Sequence, residues 1–239
     1  MDIDTNFDFR SDSHGKDPDQ HSKKLKEYHK YIWSKNLPSG RKMFLEDGKN
    51  KDYLVFKDID FQHYLTSDSI ANSLASRKAI MGILESIDSA LIDSFKTLNS
   101  TIGGFLLFPG NRINGAATIN GERGLNYFIA DRFDLTLECI RLHYLSIDNP
   151  LSRVFSRYKE FFQLFASFPG YVDYFLLKDL VDENYSSVIF FNTFGNPLTE
   201  SPIPTTVESY MEYRDNSMRF TKLRNQRIKN WAKTGQSSI

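Results

Sequence analysis

Apolar positions recur along this chain in several different rhythms. After Ser22, Leu25, Tyr28 and Ile32 follow at three- and four-residue steps and stop before Pro38-Ser39-Gly40, which predicts a short amphipathic helix. Between 42 and 70 the rhythm shortens. "KMFLEDG", "YLVFKDI" and "FQHYLTS" read as short strands punctuated by turns, forming a small antiparallel sheet. Ile80, Leu84, Ile87, Leu91, Phe95 and Leu98 return to helical spacing and predict one helix facing a core. "GGFLLF" reads as a buried strand. The dipeptides Asn114-Gly115 and Asn120-Gly121 that follow tolerate positive φ, so "FLLF" and "AATI" are expected to pair as a hairpin.

The segment 125–145, "LNYFIADRFDLTLECIRLHYL", is apolar on several faces and predicts a central helix. Two more helices, 151–168 and 171–181, are separated by Pro169-Gly170. "SSVIFF" reads as a last strand, and Thr205 or Thr206 caps a final helix running toward Trp231. The resulting fold class is α+β, mainly helical, with short N-terminal strands and hairpins packed on a helical core. The expected organisation is one domain over 1–239, divided into an acidic arm (1–20), a core (21–228) and a flexible tail (229–239).

Composition narrows the partners. Thirty basic and thirty acidic residues cancel, so no overall field draws in nucleic acid or an anionic membrane. No apolar run approaches the roughly 20 residues that span a bilayer, and the N-terminus is acidic where a signal peptide is basic and then apolar. A soluble, cytoplasmic protein without membrane contact is expected. The single cysteine, Cys139, fits a reducing compartment, and the five histidines show no metal-ligand spacing. Charge is nevertheless uneven. Six aspartates lie in residues 1–20, whereas Arg219, Lys222, Arg224, Arg227, Lys229 and Lys233 follow one another without an acid. That basic end either contacts nucleic acid, through Arg219, Lys222, Arg224 and Arg227, or pairs with the aspartate arm.

Two features carry candidate chemistry. In "FPGNRINGAATINGERG", 108–124, Arg112 and Arg123 flank a glycine-rich loop, and Gly124 is expected at the start of the central helix, where backbone N–H groups favour an anion. Along that helix Asp131, Asp134, Glu138 and Arg141 follow steps of three, four and three, and so share one face. One reading makes Arg112, Arg123 and Arg141 the contacts of an anionic ligand, a nucleotide or nucleic acid, with Asp131, Asp134 and Glu138 orienting them. A second reading gives Mg²⁺ to the carboxylates as cofactor of a phosphohydrolase. There the pairs Asp131/Asp134 and Asp179/Asp182 are similar to the D-x-x-D pairs of all-α nucleotide pyrophosphohydrolases. A third reading makes every charge part of a buried ion network in an interaction protein without a small ligand.

The blocks "YHKYIWSKNLPSG", "FPGNRI…TINGERG", "IADRFDLTLECIRLHY", "GYVDYFLLKDLV" and "YRDNSMRFTKLRNQRI" together resemble a family of bacterial proteins known only as a domain of unknown function. The resemblance runs from near Phe7 to near Ile228. It implies a bacterial, soluble protein and supplies no catalytic residue.

Overall fold

Ser22 accepts a hydrogen bond from the Leu25 amide and starts the helix that the spacing of Leu25, Tyr28 and Ile32 calls for. In the computed structural model, which describes residues 1–49, 53–74 and 77–234, this is α2 (Lys23–Trp33), preceded by the single turn α1 (Pro18–His21). Four strands follow as expected: β1 (Glu46–Asp47), β2 (Leu54–Lys57), β3 (Gln62–Ser69) and β4 (Phe105–Pro109). They form one sheet in the order β1-β2-β3-β4 with every neighbour antiparallel. Alternation along β3 turns His63, Leu65 and Ser67 inward. Around the sheet lie α3 (Lys78–Leu84), α4 (Ser89–Asn99), α5 (Ile119–Leu125), α6 (Phe133–Tyr144), α7 (Ser152–Arg157), α8 (Lys159–Gln163), α9 (Phe168–Tyr174) and the long α10 (Val207–Thr234). The fold is α+β. Among the described residues, no helix is long and apolar enough to cross a membrane.

Several boundaries depart from periodicity, each for a local reason. The expected single helix from Ile80 to Leu98 is two, because Asp88 accepts the Ala90 amide and starts α4 afresh. Leu91 is thereby left exposed while Ile92 and Phe95 turn inward. The hairpin of "FLLF" with "AATI" does not form. β4 pairs with β3 instead, and Thr118 accepts the Gly121 amide to cap α5, so Asn120-Gly121 is helical. Asn114 and Gly115 do take positive φ, 51° and 74°. Gly124 lies in the last turn of α5 rather than at the head of the central helix. That helix begins only at Phe133, after Ala130 and Asp131 adopt φ of 46° and 65° and the Asp131 amide returns to the Arg123 carbonyl.

Further along, Ser167 caps α9, so Pro169 sits within its first turn, where a missing N–H costs nothing. The break expected at Pro169-Gly170 falls just before it, with Ala166 at φ 62°. Of "SSVIFF" only Val188 pairs, as a lone bridge to Val181. Thr206 caps α10 by accepting the Ser209 amide. That helix continues to Thr234, and residues 235–239 of the expected tail lie outside the described residues.

The N-terminal arm is held by packing. Phe9 meets the rings of Tyr28 and Phe105, and the Tyr28 hydroxyl accepts the Asp4 amide. Phe161, Phe162, Phe165, Tyr171, Tyr174 and Phe175 form an aromatic core with Trp33. α10 closes over the start of β4. A Cβ at Gly103 would stand 2.6 Å from the Thr221 carbonyl oxygen, so glycine is required for that approach.

Candidate functional site

The residues singled out from sequence are for the most part engaged with one another. Arg123 is fully buried; it donates to Asp68, to Thr136 Oγ1 at 2.9 Å and to the Asp131 carbonyl at 3.3 Å. Asp131 lies 3.7 Å from Arg123 and accepts from Asn72 at 2.9 Å. Because the chain turns at Ala130 and Asp131, Asp131 does not share a helix face with Asp134, Glu138 and Arg141. Asp134 is also fully buried and takes two bonds from Arg132, at 3.1 and 2.5 Å, and one from the Phe191 amide at 2.8 Å. Arg132 reaches Asn192 and the Pro202 carbonyl as well and lies over the Tyr213 ring. Glu138 and Arg141 form a two-bond pair at 2.8 and 2.7 Å. Asp179 holds Arg227, and Asp182 accepts from Ser186 and Ser187. Arg112 stands exposed on the loop. Among the described residues, no group of three histidine, cysteine or acidic side chains is placed to hold a metal ion.

At the C-terminal end, Arg219 and Lys222 face solvent, but Arg224 is fully buried and Arg227 is paired. Among the described residues, no ion pair joins 219–233 to the aspartates of the arm.

The inward Ser67 of β3 meets His29 of α2, whose Nε2 lies 2.9 Å from Ser67 Oγ. This resembles a nucleophile and its base, but the next bond excludes that role. The Trp33 indole N–H donates to His29 Nδ1 at 2.9 Å, so the proton of the neutral ring sits on Nε2 and is donated to Ser67. His29 therefore cannot take a proton from Ser67. Burial, helped by Arg224, pushes its pKa down to about 3, so it stays neutral. The adjoining cavity, about 10 Å³, has no room for a substrate.

A larger space opens at the end of α2. Ser34 closes the helix, and the Pro38-Ser39-Gly40 turn, with Gly40 at φ 82°, reverses the chain so that the Met43 amide bonds to the Lys35 carbonyl. The returning strand and the end of α10 enclose a groove of about 890 Å³ walled by Tyr31, Phe44 and Trp231, with Lys35 on its lining. Lys35 Nζ lies 5.0 Å from the Trp33 ring centre, 4.7 Å from that of Tyr174 and 5.3 Å from that of Trp231. Among the described residues, it has no carboxylate within ion-pair distance. Lys30, on the same lining, is held by Asp47 at 2.7 Å.

The electrostatics of Lys35 follow from what lies behind it. Burial is the larger cause, Arg224 repels, Asp173 attracts, and together they bring the ammonium down to about 7. Among the described residues Arg224 itself has no ion pair, and its N–H groups end on backbone. It donates to the carbonyls of Gly103 at 2.9 Å, Phe105 at 2.6 Å and Phe175 at 3.1 and 3.2 Å. Burial pulls its pKa down to about 9, which leaves it charged at neutral pH. Lys35 is not legible as a site in the sequence, because its three rings come from α2, α9 and α10, and a lysine after a helix-ending tryptophan carries no signal of its own.

The chain belongs to a family of unknown function, DUF6994, whose model matches residues 3–228. No curated protein and no solved structure matches it.

Proposed function

We propose that this protein binds a small organic anion with an aromatic or apolar body, and that the groove beside Lys35 is its site. The observation that carries this reading is a lysine amine ringed by three aromatic side chains on the wall of a groove large enough for a small ligand. Trp231, Tyr31 and Phe44 offer apolar surface to the body of the ligand, while Lys35 and the exposed Lys42 face its charge. Lys30 and Glu46 are already paired, with Asp47 and Lys57.

Lys35 makes the sign of the pH dependence explicit. A bound anion favours the ammonium form, so binding takes up a proton and affinity rises as pH falls through about 7. Titration calorimetry with aromatic carboxylates, their neutral amides and nucleoside monophosphates, in buffers of different ionisation heat, reads both binding and proton uptake. Lys35→Gln and Trp231→Ala are expected to weaken carboxylate binding at least about tenfold, equivalent to roughly 1.4 kcal/mol. An anion held at the 108–124 loop would instead lose affinity on Arg112→Ala and be indifferent to Lys35. Carboxylates that fail to bind, or that bind equally well to Lys35→Gln, overturn the groove reading.

A further inference from the structure

We infer that Lys35 is a covalent anchor, its amine capturing a carbonyl-bearing organic acid as an imine within the groove walled by Tyr31, Phe44 and Trp231. This rests on the groove being the ligand site and adds the chemical class of what enters it.

An amine attacks a carbonyl only with a free lone pair, and a solvated lysine keeps that pair protonated at neutral pH. Burial, a nearby like charge and the lack of a counterion work against the proton. Aromatic rings from α2, α9 and α10 stand around Nζ at 4.7–5.3 Å; they bury it, which disfavours the charged form, while their faces attract an ammonium. No carboxylate among the described residues lies within ion-pair distance to hold the ammonium form. Behind the cage, the guanidinium of Arg224 adds like charge. The groups that face Lys35 are Trp33 from α2, Asp173 and Tyr174 from α9, and Arg224 and Trp231 from α10. Glu27, Lys30, Lys42, Glu46 and Asp47 line the rest of the groove. Asp173 attracts the ammonium, but burial and Arg224 outweigh it. Lys30 sits on the same wall but is tied to Asp47, so the groove distinguishes its two helix-end lysines.

The step balances without an oxidant or reductant. The Nζ lone pair forms the C–N bond as the carbonyl π pair moves to oxygen, and one proton passes from nitrogen to that oxygen, giving a carbinolamine. Nitrogen then expels the hydroxyl, which leaves as water with a second proton, and the C=N bond remains. The open mouth of the groove lets solvent carry both protons, and the aromatic wall takes the body of the acid.

The test uses the intact chain with 4-carboxybenzaldehyde and cyanoborohydride, which reduces the imine in place, followed by peptide mass mapping. At pH 7, Lys35 is expected to carry the adduct at least about tenfold faster than exposed lysines. Its rate should level off above about pH 7 rather than climb toward the ordinary lysine range. Lys35→Arg, which keeps a cation in the cage, should lose that fast adduct. Adducts spread over the surface lysines with Lys35 unmodified overturn the inference. If benzoate still binds in a Lys35-dependent way, only the covalent step has failed. If benzoate does not bind either, the groove reading falls with it.

Discussion

Arg123, Arg132 and Arg224 are all buried cations, yet the first two meet carboxylates and the third does not. Arg123 meets Asp68 and Asp131, and Arg132 meets Asp134 with two bonds, so each charge ends on a carboxylate. Arg224 gives its N–H groups to backbone carbonyls and lies over the Trp33 ring, with no ion pair among the described residues. Carbonyl dipoles satisfy its N–H groups without cancelling its charge, and the remaining field acts on its neighbours. His29 and Lys35 both lose affinity for protons to burial first and to Arg224 second. A counterion therefore confines an arginine to structure, whereas the lack of one leaves a field that tunes a nearby amine.

The largest expected effect comes from breaking the closed side. Asp134→Asn strands Arg132 in the interior and should cost about 3–5 kcal/mol in urea unfolding, as removal of one member of a buried pair does. Added Mg²⁺ should not restore the loss, since Arg132 occupies the carboxylate; a Mg²⁺-dependent melting temperature abolished by this substitution would return the carboxylates to a metal. Arg224→Met sharpens the comparison from the open side. It leaves buried carbonyls without a donor, at about 1–3 kcal/mol for an unsatisfied group, and should raise the Lys35 pKa above about 7, read from the pH dependence of its modification rate. A Lys35 profile unchanged by Arg224→Met would show that burial acts alone. The smallest effect belongs to Glu138→Gln. That pair is partly exposed and spaced i,i+3, so its loss should cost under about 1 kcal/mol in the same unfolding measurement.

Much of the scaffold was legible because its signals are local. The stripe of Leu25, Tyr28 and Ile32, the short strands of 42–70 and the cap at Thr206 all depend on neighbours a few residues away. Asp131 was misplaced for the same reason. Its spacing from Asp134 fits a helix, but Ala130 and Asp131 turn left-handed so that the chain can close on the end of α5, and spacing carries no record of that. Inward polar positions were legible in principle, since Ser67 shares its strand face with Leu65 and His63. Lys35 was not, because its environment is assembled from helices far apart in sequence and its charge is set by Arg224, which in sequence is one member of a basic run.

Arg224 also bears on how the chain avoids sticking to itself. One edge of the sheet is β1, two exposed acidic residues that discourage pairing. The other edge is β4, "FLLFP", apolar and wholly buried, with its first carbonyl, that of Phe105, held by Arg224 in place of a further strand. α10 thus blocks one hydrogen-bonding position at the head of an adhesive strip, and losing that bond would leave the Phe105 carbonyl open to a strand of a second chain. Aggregation under stress would then begin at a defined strand, and the buried arginine that tunes the groove would also be what keeps the protein apart from its own copies.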